Sequence, residues 1–162
     1  MEKETTNTQN KFERKHKVRI ISGIGILLSI IGLADTTYLT IAHYTTKVIL
    51  ACPSTGIINC QKVTSSTYSE IHGIPAAVLG LIFFSVMLIY QLPMMWSTTN
   101  KFIRNTRVLY SIAGLVSVFW FVYVELHKLD AICLYCTGVH ILTFFLFVTT
   151  IIGTSIITAE KE

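Results

Sequence analysis

The sequence predicts an all-α integral membrane protein: a four-transmembrane-helix bundle with an extracytoplasmic loop cap. Three observations predict it. Of 162 residues, 52% are hydrophobic and only 14% are charged, where a soluble domain has about a quarter charged. The apolar residues come in uninterrupted runs, with no Asp, Glu, Lys or Arg in 71–100, 108–124 or 131–159. Each run approaches or exceeds the roughly 20 residues that cross a hydrocarbon core about 30 Å thick. A soluble fold of this size has no room to bury three of them.

The expected elements follow in chain order. Residues 1–19 are polar and basic and read as a cytoplasmic tail, disordered or interfacial. The first span covers Ile20–Tyr44. Asp35 interrupts it about 22 Å from Ile20 at ~1.5 Å per residue, short of the far edge of the core. A cleaved signal peptide over residues 1–34 fits less well, because the apolar stretch continues past any plausible cleavage point and three more spans follow. A long loop, 45–73, precedes the second span, Ile74–Trp96. Pro75 suits the first turn of that helix, where its missing N–H costs nothing, and Pro93 lies near its end. The third span is Val108–Leu126. A short turn, 127–131, leads to the fourth, Ile132–Ile157, and residues 158–162 form a second cytoplasmic tail. Residues 20–157 are thus read as one membrane domain.

Orientation follows from Lys and Arg. Ten of them lie in the N-terminal tail, in the 97–107 connection and at the C-terminus: Lys3, Lys11, Arg14, Lys15, Lys17, Arg19, Lys101, Arg104, Arg107 and Lys161. Three, Lys47, Lys62 and Lys128, lie on the other side. Both termini are therefore expected in the cytoplasm. The net charge of +4 calls for no nucleic-acid partner; membrane lipid, through anionic headgroups, is the expected contact.

All four cysteines then fall on the extracytoplasmic side, where disulfides form and persist. Cys52 and Cys60 lie in the long loop, and Cys133 and Cys136 open the fourth helix. At a helix start, free backbone N–H groups and the helix dipole favour a thiolate. A bridge between cysteines three positions apart closes almost no loop, so such a pair reads as a redox motif rather than a staple. Zinc is disfavoured because the Cys52–Cys60 spacing is too wide for a usual structural site. Covalent haem is disfavoured because residue 137 is Thr and not His. Two inert bridges holding an outer cap remain an alternative. Two dithiol pairs have a functional rationale of their own. A loop pair meets a soluble partner, a helix pair meets a lipid-soluble acceptor, and exchange through mixed disulfides joins them.

Asp35, Tyr38, Ala51-Cys52-Pro53, Asn59-Cys60, Val63, Ser65-Ser66, Tyr68-Ser69, Gly73-Ile74-Pro75-Ala76, Leu79-Gly80 and Cys133-Leu134-Tyr135-Cys136 together resemble the vitamin K epoxide reductase family, over about residues 20–147. The Gly-Ile-Pro form is similar to bacterial members, which reoxidise a thioredoxin-like disulfide donor and pass electrons to menaquinone or ubiquinone. The resemblance implies that Cys133 and Cys136 are the active-site pair, with Cys136 facing the quinone and Cys133 exchanging with Cys60. It implies that Cys52 meets the partner and that Ser66 is the family's active-site serine. The chain stops at Glu162 without a fused thioredoxin-like domain, so a separate extracytoplasmic partner is expected. The seven residues between Cys52 and Cys60 sit in an interval that varies in the family. Vertebrate-like reduction of vitamin K epoxide is the alternative activity, and a non-catalytic scaffold with two structural disulfides the alternative class.

Other residues are read on chemistry. Asp35 inside a span is either functional or a carboxylate hydrogen-bonded to a neighbouring helix. His140 shares a helix face with Cys133 and Cys136 and can hydrogen-bond a quinone carbonyl or hold a helix contact. Tyr38, Tyr135, Phe119, Trp120 and Phe121 are aromatic candidates for lining a quinone pocket, though such residues more often serve packing. Glu125 and His127 are expected in water. Gly23, Gly25, Gly32, Gly80 and Gly114 are expected at close helix contacts, and Thr64 and Ser65 in a cap or turn.

Overall fold

The structure is a computed structural model that describes residues 2–45, 51–52, 55–98 and 100–159. Lys47, Pro53 and Lys161, used above for orientation and motif, lie outside the described residues. The elements are α1 (Glu2–Tyr44), α2 (Cys60–Thr64), a 3-10 turn (Thr67–Ser69), β1 (Glu70–Ile71), β2 (Ile74–Pro75), α3 (Ala76–Gln91), α4 (Pro93–Ser97), α5 (Lys101–His127) and α6 (Leu134–Ala159). Three helical stretches are long and apolar enough to cross a membrane: Lys15–Tyr44, Lys101–His127 and Leu134–Thr158. A shorter apolar helix, Ala76–Gln91, accompanies them. The protein is thus an all-α, multi-pass membrane bundle. α1 packs against α3 and α6, and α5 packs against α6.

Three boundaries differ from the sequence expectation, one being that α5 begins at Lys101, seven residues before the expected Val108. α1 begins at Glu2, so the polar segment read as a disordered or interfacial tail continues the helix. The second apolar stretch is not one helix to Trp96. It breaks at Leu92, and Pro93 starts a new five-residue helix. Proline lacks the N–H of a continuing helix and restricts the residue before it to extended geometry; Leu92 has φ −60° and ψ 141°. At the other end Pro75 caps α3 from outside its first turn.

The bundle turns its apolar side chains outward and small polar ones inward. Leu27, Val116 and Phe119 are 59%, 62% and 67% exposed, as a lipid-facing surface requires and an aqueous one would penalise. Ser22, Ser29, Thr36, Ser111, Thr143 and Thr150 are buried. Four of these hydroxyls donate within their own helix, as Ser29 does to the Gly25 carbonyl at 2.8 Å and Thr36 to that of Gly32 at 2.7 Å, while Ser22 and Thr150 bond to Gln91 of α3. Small residues let backbones approach where lipid removes the hydrophobic drive for helix association. A Cβ on Gly32 would overlap the ring of Phe84, and one on Gly114 the ring of Phe83. Gly25 and Gly80 sit against Gln91 and Thr36, whereas Gly23 has nothing within 4 Å and is not at a helix contact.

At the basic end a buried polar cluster ties the break at Leu92 to its neighbours. Trp96 Nε1 donates to Gln91 Oε1, and Gln91 Nε2 donates to Thr150 Oγ1, both at 3.1 Å. Arg107 is also buried here, with its guanidinium 3.5 Å over the Trp96 ring, a cation–π contact.

Candidate active site

The two cysteine pairs meet at the opposite end. α2 is capped by Asn59, whose Oδ1 accepts from the Lys62 N–H at 2.9 Å, the usual service of an N-cap. Cys60 is the first residue of α2. The chain just before it is tied to the chain just before Cys133: the Ile132 N–H donates to the Ile57 carbonyl at 2.8 Å, and the Asn59 N–H donates to the Ile132 carbonyl at 3.0 Å. Ile58 and Ile132 thereby pair as a parallel bridge. Cys60 and Cys133 are 1% and 0% exposed and share one buried cluster with Leu39, Val63 and Ala131. Cys52 and Cys136 pack against the same cluster. Cys52 and Cys60 form a disulfide with Cα atoms 6.1 Å apart, while Cys133 and Cys136 are free thiols.

Local backbone geometry conditions Cys133. It immediately precedes α6, and its Sγ accepts from the Cys136 N–H at 3.2 Å, much as an N-cap oxygen would. The hydrogen bond from the Cys136 side chain and those from the Cys136 and Tyr135 backbone hold the Cys133 thiol below its ordinary range. Burial and the Glu125 carboxylate push the other way. The helix dipole alone gives about 0.3–1 kcal/mol at exposed sites, less than the ~1.36 kcal/mol that equals one pKa unit.

Below the cysteines a cavity of about 330 Å³ opens between the helices. Cys136, His140 and Ser66 line it, with Phe83, Phe84, Tyr110 and Phe121 among its walls. Phe121 lies against His140 in a stacked arrangement, centroids 6.5 Å apart. Ser66 reaches the cavity from the turn after α2, its hydroxyl donating to the Val63 carbonyl at 2.9 Å. Ser65 and Thr64 serve that turn as expected, donating to the Gln61 and Cys60 carbonyls at 2.7 and 2.9 Å.

Asp35 and Tyr135 are not among the residues lining this cavity. A Cβ on Gly138 would lie 3.1 Å from Asp35 Oδ2, which places that carboxylate against α6. Its Oδ1 is buried without a hydrogen-bond partner among the described residues. Tyr135 instead holds the loop: its hydroxyl donates to the Ala51 carbonyl at 3.3 Å, and the Ala51 N–H donates to the Tyr38 hydroxyl oxygen at 3.4 Å. The Tyr38 and Tyr135 rings pack at 5.1 Å, so the pair clasps the residue next to Cys52. Of the aromatic candidates, Phe121 lines the cavity, and Phe119 and Trp120 point outward, 67% and 55% exposed.

Glu125 corrects the sequence reading most sharply. It was expected in water and is 5% exposed. Its Oε2 accepts from the Cys133 N–H at 3.5 Å, and its carbonyl accepts from the Ala131 N–H at 3.2 Å. The signal lay in the spacing. A turn as short as 127–131 folds α6 back along α5, bringing a residue near the end of α5 beside the start of α6. His127, two residues on, is exposed as expected and stacks on Tyr123 at 4.8 Å.

The sequence matches the model of the Vitamin K epoxide reductase family over residues 24–151. That range is most of the chain and contains all four cysteines. The protein belongs to the vitamin K epoxide reductase family.

Proposed function

Starting from that family membership, we propose that the protein is a membrane thiol–disulfide oxidoreductase. It reoxidises a separate extracytoplasmic thioredoxin-like disulfide donor and passes the electrons to a quinone, menaquinone or ubiquinone, supporting disulfide formation in exported proteins. Both termini are cytoplasmic, and the loop 45–73 caps the extracytoplasmic side of four spans. The excess of Lys and Arg in the tails and the 97–107 connection supports this orientation.

One observation carries the reading. An oxidised loop pair and a reduced helix pair share one buried cluster, and Cys136 opens from it onto an apolar cavity. The partner's dithiol reduces Cys52–Cys60 by attack on Cys52, through a mixed disulfide, and leaves oxidised. The Cys60 thiolate then attacks Cys133 of the Cys133–Cys136 disulfide, with Cys136 as leaving group. Cys52 resolves the Cys60–Cys133 bond. The loop disulfide forms again, and the helix pair holds the two electrons. That end point corresponds to the cysteine states in this structure. A lowered Cys133 pKa suits the residue that must be released in the last exchange, since a more acidic thiol leaves faster.

The cavity fits a quinone in kind and in size. Ligand pockets run from about 300 Å³ upward, with mostly apolar walls and few polar groups. Here Phe83, Phe84, Tyr110 and Phe121 supply aromatic walls of the kind that pack on a flat ring, and His140 and Ser66 supply polar groups among them. The quinone supplies a two-electron, two-proton acceptor. The protein's part is to hold it beside Cys136 and keep water from the sulfurs.

Double replacement of Cys133 and Cys136 by Ala tests the reading. Loss of partner oxidation with normal membrane insertion is expected; retained oxidation would sink the proposal and leave a scaffold with structural disulfides. Purified protein assayed with vitamin K epoxide and with menaquinone separates the two activities, and menaquinone is expected to be the faster.

A further inference from the structure

Glu125 is the one carboxylate among the described residues that line the cavity beside Cys136. No lysine or arginine among the described residues lines that cavity. Among the described residues its side-chain partner is the Cys133 N–H, at 3.5 Å. A buried carboxylate held by one long hydrogen bond and no cation is an expensive way to brace a backbone. Glutamine would accept the same N–H without the cost of burying a charge. The brace therefore does not account for the acid.

The neighbouring chemistry does. Cys133 must pass between thiol and thiolate during exchange, and both sulfurs must lose protons when the pair is oxidised. A thiolate beside an ionised carboxylate in a low-dielectric site sets two like charges together, and such pairs resist ionising at once. The other titratable groups facing the couple are Asp35, Tyr38 and His43 from α1, Tyr135 and His140 from α6, Tyr110 from α5 and Tyr68 from the loop. Asp35 stands behind Gly138, outside the cavity, and α3 contributes no titratable group to it.

We infer that Glu125 is the positioning residue of the helix-borne couple: it braces the Cys133 backbone and shares one proton with the couple, so that the thiolate forms as the carboxylate becomes protonated. The inference rests on the quinone reading above. Oxidation of the pair breaks two S–H bonds, forms one S–S bond and sends two electrons to the quinone, which leaves as quinol with both protons. Glu125 holds one of those protons between thiol and quinol, and ends each turnover in the state in which it began.

The test uses the full-length protein in detergent with its loop disulfide intact, so that the infrared S–H band reports the Cys133–Cys136 pair alone. Glu125→Gln keeps an acceptor for the Cys133 N–H and removes the shared proton. It is expected to move loss of the S–H band to lower pH by about one unit or more. It is also expected to slow oxidation of the reduced pair by menadione by roughly a hundredfold, the lower end of general acid–base effects. Glu125→Asp should stay near wild type in both. A variant with the wild-type titration and oxidation rate would reduce Glu125 to a helix brace and overturn the inference. If Glu125→Gln fails to insert, the wild-type redox-difference spectrum still decides: a protonated-carboxyl band must change on oxidation and stay unmoved in Asp35→Asn. Failure of menadione to oxidise the wild type at all would remove the quinone reading, while the S–H titration would still settle the shared proton.

Discussion

Ile58 and Ile132 lie side by side in a parallel backbone bridge, and each stands within two residues of a buried cysteine, Cys60 and Cys133. The hydrogen bonds on either side, at 2.8 and 3.0 Å, anchor a loop cysteine to a helix cysteine across 73 positions of sequence. For disulfide exchange this turns a long-range encounter into a local one. Ile132→Pro deletes the N–H that donates to Ile57. In a Cys52→Ala, Cys136→Ala background it is expected to lower the yield of a Cys60–Cys133 disulfide roughly two- to tenfold, the worth of one hydrogen bond of about 0.5–1.5 kcal/mol. Peptide mapping without reduction reads the yield.

Replacing a resolving cysteine should trap the step before it. Cys52→Ala removes the thiol that resolves the Cys60–Cys133 bond, so that bond should accumulate. Cys60→Ala leaves Cys52 to hold the external partner as a mixed disulfide. Absence of any adduct at Cys52 with a thioredoxin-like protein would count against the proposed partner.

The Cys133 thiol is held below its ordinary range chiefly by the hydrogen bond from the Cys136 side chain. Because the shift is downward, thiolate appears at lower pH than in a free thiol, and removing the donor must move the transition up. Cys136→Ser keeps a donor and Cys136→Ala does not. The S–H infrared band of Cys133 should therefore disappear at higher pH in the alanine variant than in the serine variant.

Close packing of α1 on α3 can be tested with two glycines nine positions apart. A methyl on Gly32 would meet the fully buried Phe84 ring. Gly32→Ala is expected to cost about 1–3 kcal/mol, the usual price of overpacking, read by thermal unfolding in detergent. Gly23→Ala meets nothing within 4 Å and should be neutral or gain about 0.5–1 kcal/mol from helix propensity.

His140 lies on the cavity wall against Phe121. Under the proposed function, His140→Phe keeps the ring contact and removes the polar edge. It should raise the KM for menaquinone by about tenfold, one lost hydrogen bond of ~1.4 kcal/mol, with little change in the rate at which the loop pair reduces Cys133–Cys136. An unchanged KM would assign His140 to helix packing alone.

The sequence by itself determined what depends on neighbours along the chain. Charge-free runs marked the apolar helices, because crossing lipid needs an unbroken apolar length. The four cysteines, their pairing into loop and helix sets and the family resemblance were legible in spacing and order. The break at Pro93 was half legible, since the proline was visible but the separate helix it starts was not. Tertiary structure alone decided which polar groups are buried and what they touch. Glu125 and His127 are two residues apart and equally polar in sequence, yet one lies inside against Cys133 and the other faces outward. Likewise Asp35 and Tyr135 fell outside the cavity, and Tyr38 and Tyr135 became a clasp on Ala51. Hydropathy is a sum over a local window, whereas the burial of one side chain is set by atoms contributed from distant helices and loops, and no window contains them.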